Sequence, residues 1–309
     1  MNRSVRVFQV DAFTRQPFTG NPAGVVLDAE RLDTAQMQNI ARELNNGDTA
    51  FVLPPDGPDH DLRVRFFTPR SEASFVGHAT LAVHAVRDAL GLPACQRQKQ
   101  RSGVVTIETQ HDAGRGATFA FTQPPPPLRG ALGVELRSPL LAALGLSPED
   151  LDERCPPTIA GEHNTRALIA VREAAMLERL QPDQAALAAL SARGAPPGSF
   201  VFTLRPAAPG VLSEARMFCP ALGIPEDPVS GNAHAMLAAL LWREKLLPAT
   251  AQGEFTAHQG RFMGRPGQLS VRLLSGTAAA GPPVLSQISV GGSAVLVFAT
   301  TIALPGLAA

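Results

Sequence analysis

Two glycine-led segments carry the residue types that could hold an anion or move a proton. The later one reads Glu226-Asp227-Pro228-Val229-Ser230-Gly231-Asn232-Ala233-His234 and runs into an apolar stretch from Ala235 to Trp242. Ser230 is placed to cap a helix, Pro228 fixes its entry, and Gly231 lets a ligand come close to the backbone. Free N–H groups and the positive end of the helix dipole make such a start an anion site, here for a substrate carboxylate. A capped core helix without a ligand is the plainer alternative, and the segment alone does not separate the two. The earlier segment, Glu72-Ala73-Ser74-Phe75-Val76-Gly77-His78-Ala79-Thr80, leads into Leu-Ala-Val-His-Ala-Val. A third candidate is Asp48, between the helix-stop signal Asn45-Asn46-Gly47 and the strand-like Ala50-Phe51-Val52-Leu53. A carboxylate at the mouth of a strand is where catalytic groups tend to be held, although a loop aspartate is more often a solvated turn residue.

The elements that must position these groups repeat. A helix that is apolar all round has no face left for water and must be wrapped by other structure, so each glycine opens a core helix. Glu72 precedes Gly77 by the same spacing as Glu226 precedes Gly231, and the glycines lie 154 positions apart, at 77 and 231. Arg65-Phe66-Phe67-Thr68-Pro69 matches Arg216-Met217-Phe218-Cys219-Pro220 at an offset of 151, and Phe51-Val52 matches Phe200-Val201 at 149. A slowly drifting offset is the mark of a duplicated fold with small insertions. We expect two halves: residues 1–123, a stiff proline-rich linker over 124–131, and residues 132–309, with the last strands free to return to the first half.

Composition narrows the class. A chain of 309 residues suits two cores better than one. Its 45% hydrophobic and 17% charged residues are ordinary for a soluble globular protein. A net charge of +0 argues against nucleic-acid or anionic-membrane partners. No apolar run is long enough to span a bilayer, and the start reads as a strand rather than a signal peptide. Cys95, Cys155 and Cys219 are far apart, which suggests reduced thiols in a cytoplasm and no structural zinc. His78 and His84 are not at the spacing of a helical zinc pair, so no metal is expected.

In chain order, Val5–Val10 reads as a strand, Pro17–Gly24 as a glycine- and asparagine-rich loop, and Leu32–Leu44 as an amphipathic helix capped by Asp33 or Thr34. A loop of that composition between strands carries function about as often as it is a plain turn. Strands are expected at Leu62–Phe67, Val104–Thr109, Ala117–Thr122, Ala167–Val171 and Phe200–Leu204, with helices near Leu136–Leu144 and Asp183–Ala192. The loop from Gln259 to Pro266 offers Arg261 and Arg265, the latter read as structural.

Phe18-Thr19-Gly20-Asn21-Pro22, Gly77-His78-Ala79-Thr80, Glu226 to Gly231, and Gln259-Gly260 with Gly264-Arg265-Pro266 together resemble the PhzF family of phenazine biosynthesis. The resemblance spans nearly the whole chain. It implies an α+β fold like that of diaminopimelate epimerase: two duplicated halves, each a mixed β-sheet or barrel wrapped around one central buried helix, with the active site between them. It further implies a homodimer and cofactor-free proton transfer on a small carboxylate-bearing substrate, the best-known activity being isomerisation of dihydro-hydroxyanthranilate. Carried over by position, Asp48 is the acid/base and His78 and Asp227 are polar site residues. Asn21, Gly77, Ser230, Gly231, Asn232 and Ala233 are expected to bind substrate.

This chain departs from the family pattern at two positions. Where the family usually has Ser-Glu-Thr it has Gly47-Asp48-Thr49, and where the family has Gly-Ser-Ala it has Gly231-Asn232-Ala233. The shorter carboxylate retreats by roughly an ångström, a displacement that can cost about a hundredfold in rate unless the substrate sits closer. Two-base epimerases of this shape place a thiol immediately before each helix glycine. Val76 and Ser230 stand there, so a two-thiol mechanism is unavailable. Two readings follow: an isomerase using Asp48, or a small-acid binder whose base has drifted.

Overall fold

The computed structural model describes residues 4–114, 116–162, 165–248, 253–276 and 283–304. The chain divides into two compact units, residues 1–122 with 291–309 and residues 123–290. The return of the C-terminal segment has a direct cause. The last strand, β18 (Ala294–Ala303), pairs antiparallel with the first, β1 (Ser4–Ala12).

In unit 1, β1 pairs antiparallel with β2 (Asn21–Val26), and β2 runs parallel to β3 (Asp48–Leu53). A parallel pair needs a crossover, supplied by α1 (Thr34–Leu44). Asp33 and Gln36 cap that helix reciprocally, Asn45 ends it in a left-handed turn, and Met37, Ile40 and Ala41 face the core. The sheet continues antiparallel through β4 (Leu62–Phe67) to the two-residue β5 (Glu72–Ala73). Then comes α2 (Gly77–Ala89), buried at every residue from Gly77 to Val86. After it, β6 (Arg97–Gln100) runs parallel to β4, and β7 (Gly103–Asp112) and β8 (Gly116–Gln123) close a hairpin.

Unit 2 repeats the plan with longer insertions. It runs through β9 (Leu128–Ala131), α3 (Val134–Leu144), β10 (Thr158–Ala160) and β11 (Arg166–Val171). Two helices, α4 (Ala174–Arg179) and α5 (Gln184–Ala192), carry the crossover to β12 (Gly198–Thr203), which is parallel to β11. Antiparallel β13 (Ser213–Cys219) and β14 (Ile224–Asp227) lead to α6 (Gly231–Arg243). The unit ends with β15 (Glu254–Gln259), β16 (Gly267–Gly276) and β17 (Val284–Gly292). Both α2 and α6 begin on the glycine of their motif and run 13 residues. Every residue of α6 from Ala233 to Leu241 is buried, as a helix without a polar face requires. The fold is α+β with a duplicated plan.

The duplication extends to an ion pair that the letters alone did not reveal. Arg65 on β4 makes a two-pronged bond to Glu72, at 2.7 and 2.9 Å, and Arg216 on β13 makes the same bond to Glu226, at 2.9 and 2.9 Å. Each guanidinium also stacks on a phenylalanine two residues along its own strand, Phe67 at 5.1 Å and Phe218 at 5.0 Å. Each pair ties its strand to the short strand that feeds the central helix.

Register corrects one sequence match. Phe51 lies opposite Arg65, whereas the residue opposite Arg216 is Val201. Phe51 therefore answers to Val201 and not to Phe200, one residue away from the expected match. Both stretches are apolar runs buried on both faces, so letter identity did not mark the phase. With the register corrected, the counterpart of Asp48 is Gly198.

Among the described residues no helix is long and apolar enough to cross a membrane. All three cysteines are free thiols in buried positions.

Candidate active site

The first cluster of expected site residues forms inside unit 1. Because β2 and β3 are parallel neighbours, their first residues, Asn21 and Asp48, emerge at the same edge of the sheet, with Ala23 opposite Asp48. The start of α2 brings His78 to them. Asn21 Nδ2 lies 3.3 Å from His78 Nδ1, and His78 Nε2 lies 3.8 Å from Asp48 Oδ2. All three are buried, at 2%, 7% and 7% exposure for Asn21, Asp48 and His78.

Burial sets the charge of this cluster. Removal from water pushes the His78 imidazole down to about 3, so it is neutral at neutral pH. The 3.8 Å approach to Asp48 is therefore not an ion pair, and it is too long for a hydrogen bond. With the Asn21 amide donating to Nδ1, the ring's one proton sits on Nε2, on the side of Asp48. That Nε2 has no hydrogen-bond partner among the described residues. A buried donor left open costs stability, and such groups are found where a ligand completes them. Gly47 keeps the space clear. A methyl group there would lie 3.9 Å from Asn21 Oδ1 and 4.0 Å from His78 Nε2, within ordinary contact distance.

The first turn of α2 is open as well. Val76 stands at the cap and offers no side-chain bond, while Thr80 turns both its N–H and its hydroxyl to the Val76 carbonyl, at 3.0 and 2.9 Å. The N–H groups of Gly77, His78 and Ala79 have no acceptor among the described residues. Donors, a neutral imidazole N–H and a carboxylate thus converge at one helix start.

The second cluster forms inside unit 2. Ser230 caps α6 by accepting from the Ala233 N–H at 3.3 Å. Gln259, the last residue of β15, accepts from the Ser230 N–H at 3.1 Å and donates to the Asp227 carbonyl at 2.7 Å. One side-chain amide therefore spans Pro228-Val229 and holds Asp227 and the helix start in a fixed relation. Gly260 makes this possible. It sits at φ +90°, and a side chain there would meet the Pro228 carbonyl at 2.7 Å. His234 donates from Nδ1 to the Ser230 carbonyl at 2.8 Å, standing at the helix position that Thr80 occupies in α2. Burial pushes its imidazole down to about 4, and Phe200 meets it edge-on at 5.1 Å. The Gly231 and Asn232 N–H groups have no acceptor among the described residues.

The structure thus gathers Asn21, Asp48, Gly77 and His78 in one unit, and Asp227, Ser230, Gly231, Asn232 and Ala233 in the other. Val76 and Ser230 hold the two cap positions, so neither helix start carries a thiol. Cys219 is 1% exposed, and burial pushes its thiol up to about 11, consistent with filler. His84 is satisfied by Gln98 at 3.1 Å. In the loop after β15, Arg261 is held by Glu214 at 2.7 Å and stacks on Phe262. Sequence reasoning gave Gln259 no role beyond its place in a motif. Its bonds to Asp227 and Ser230 bridge about thirty positions and appear only once the strands are in place.

This geometry can be set beside known proteins. The family profile described as phenazine biosynthesis-like protein (PhzC-PhzF) matches residues 10–300. The chain belongs to the PhzF family. It is 39% identical over 298 residues to an uncharacterized isomerase, YddE, of Escherichia coli O157:H7, a match covering 95% of this chain and 96% of that one. It is 32% identical to the trans-2,3-dihydro-3-hydroxyanthranilate isomerase of Pseudomonas aeruginosa, over 86% of this chain and 90% of the relative. The crystal structure of a PhzF-family protein from Bacillus anthracis superposes with a TM-score of 0.83 at 26% identity, covering 97% of this chain and 99% of that one. The relatives' activities and the fold agree: this is a PhzF-type isomerase.

Proposed function

We propose that this PhzF-family isomerase moves a proton within a small unsaturated or hydroxylated carboxylic acid, without a cofactor. The observation that carries the proposal is the buried Asn21–His78–Asp48 group beside the uncapped start of α2. Asp48 takes a proton from one carbon of the substrate, the double bond shifts, and Asp48, after exchange with solvent, returns a proton at another carbon, so no atom is gained or lost. Neutral His78, its tautomer set by Asn21, gives its Nε2–H to a substrate oxygen and cannot compete with Asp48 as a cationic acid. Asp227 orients the substrate from the end of β14. Within the helix start from Ser230 to Ala233, the free N–H groups of Gly231 and Asn232 hold its carboxylate through backbone donors and the helix dipole. We take the working form to be a homodimer in the reducing cytoplasm, on the strength of the family and the three unpaired thiols.

Deuterium uptake tests this. The protein is incubated in heavy water with trans-2,3-dihydro-3-hydroxyanthranilate, then with a panel of small unsaturated and hydroxylated acids, and substrate and product are analysed by mass. We expect deuterium at carbon with the wild-type protein on at least one acid and none with Asp48→Asn. An acid that raises the melting temperature but takes up no deuterium would mark the protein as a binder and overturn the catalytic role of Asp48.

A further inference from the structure

Four polar side chains are buried together between α2 and β6: Thr80 and Gln98 at 0% exposure, His84 at 4% and Gln100 at 5%. Gln98 is the hub. Its Oε1 accepts from His84 Nε2 at 3.1 Å, and its Nε2 donates to Gln100 Oε1 at 2.9 Å and to Thr80 Oγ1 at 3.2 Å. The Thr80 hydroxyl then donates onward to the Val76 carbonyl at 2.9 Å. A second arm runs from Gln100 Nε2 to Ser102 Oγ at 3.4 Å, and the Ser102 N–H donates to the Ser74 carbonyl at 3.3 Å. The carbonyls on either side of Phe75, just before the start of α2, are thus both tied back to β6 and the turn after it.

The fold does not require this network, because unit 2 is built without it. Counting back from the paired positions of Arg65 and Arg216, Leu62 answers to Ser213, and these lie opposite Gln98 and Ala257. Gln98 therefore answers to Ala257, Gln100 to Gln259, and His84 to Ala238. In unit 2, Gln259 accepts directly from the N–H of the cap residue Ser230. In unit 1 the Gln100 oxygen is taken by Gln98 instead, and the start of α2 is held by its Val76 carbonyl. A buried polar network whose members are satisfied costs more than apolar packing but specifies one arrangement. It stands in the unit that carries Asp48. We propose that Gln98 is a positioning residue for His78: through Thr80 and the Val76 carbonyl it fixes the start of α2 where the imidazole meets Asn21 and Asp48. The inference rests on the function proposed above and adds the group that aims its imidazole.

Nitrogen NMR of the imidazoles in the free protein tests this without a substrate, the His78 signals being assigned by their loss in His78→Gln. Thr80→Val keeps the shape and the N–H bond to Val76 but removes the hydroxyl link, and Gln98→Met removes the hub. We expect either change to mix the His78 tautomers, which the wild type holds with the proton on Nε2, and Thr80→Ser to keep the wild-type pattern. On trans-2,3-dihydro-3-hydroxyanthranilate, kcat for deuterium uptake should fall about tenfold with KM within about threefold, the split expected when an aligned group is misplaced. Ile107→Val, a plain packing loss at a buried residue of the same unit, should move neither readout. His78 signals and kcat that hold in folded Thr80→Val and Gln98→Met proteins overturn the proposal. Failure of both variants to fold overturns it too, by making the network structural only. A wild type without turnover on any acid of the panel overturns the proposed function, while the NMR still decides whether Gln98 positions His78.

Discussion

At the head of β3 the chain carries Asp48. At the same register in unit 2 it carries Gly198, and the difference follows from what lies on the neighbouring strand. Beside Asp48 on β2 is Ala23, whose methyl group leaves room for a carboxylate. Beside Gly198 on β11 is Arg166, and a methyl group on Gly198 would lie 2.5 Å from its Cδ and 2.7 Å from Cys219 Sγ. One unit thus presents a small neighbour and an acid, the other a large cation and no side chain. The helix starts diverge the same way. α2 is left uncapped by Val76 with His78 next to its glycine, while α6 is capped by Ser230 with Asn232 in the matching place. A duplicated scaffold has kept its Arg–Glu clamp, its glycine and its helix length twice. In the function proposed above, one copy supplies the proton-transfer group and the other supplies Asp227, backbone donors and a cap.

Breaking the asymmetry at the acid should have the largest effect. Asp48→Asn keeps the shape but cannot carry a proton, so turnover should fall by about 10²–10⁴, the usual contribution of a general acid/base. The deuterium assay reads it directly, and turnover within a few-fold of wild type would remove Asp48 from the mechanism. Its counterpart gives the contrast. Gly198→Ala should destabilise by about 1–3 kcal/mol through overpacking against Arg166 and Cys219, measured by urea unfolding.

The two clamps sharpen the comparison next. The Arg216–Glu226 side chains are 10% and 15% exposed, and Arg216 also donates to the Leu177 and Leu180 carbonyls. The Arg65–Glu72 side chains are 26% and 24% exposed. Arg216→Met leaves a buried carboxylate uncompensated and should cost about 3–5 kcal/mol, whereas Arg65→Met, in wetter surroundings, should cost about 1 kcal/mol. Equal losses in urea unfolding would show that burial does not separate the copies.

Acid should act on both helices. His78 is held down to about 3, and His84 and His234 to about 4, each by burial. Since these folded values lie below that of an unfolded histidine near 6.5, the unfolded chain binds the protons. The stability is therefore fully present above about pH 6.5 and is lost as pH falls toward 4. Each histidine contributes up to about 1.4 kcal/mol per pH unit across that window. His234→Gln should flatten the slope of unfolding free energy against pH by about one proton. An unchanged slope would mean that this imidazole is not buried neutral.

The smallest effect belongs to the cap. Ser230→Ala should cost about 1 kcal/mol of stability. If the start of α6 holds the substrate carboxylate, the loss should shrink when a tightly bound acid is present.

Much of this was legible in the letters. The all-apolar stretches after Gly77 and Gly231 could only be core helices, because no face was left for water. The repeated Arg, Glu and Gly marked a duplication because motifs that recur in the same order at a slowly drifting offset need a common plan. A helix start at Asp33 or Thr34 was readable from their capping side chains, and the structure settles it on Asp33, bonded reciprocally with Gln36. These are local properties, set by bonds within a turn or two, and composition suffices to read them.

What the letters did not hold was set by pairings between distant residues. The register placed Asp48 opposite Ala23 and moved the counterpart of Phe51 from Phe200 to Val201. A one-residue slip between two apolar strands leaves their composition unchanged, and only inter-strand hydrogen bonds choose between the phases. The neutral state of His78 came from burial contributed by many segments. Gln259 gained its role because β15 ends where the chain from Asp227 to Ser230 passes. Sequence determined which elements exist and which residues could do chemistry. Long-range packing decided which of those residues meet, and in what state of charge.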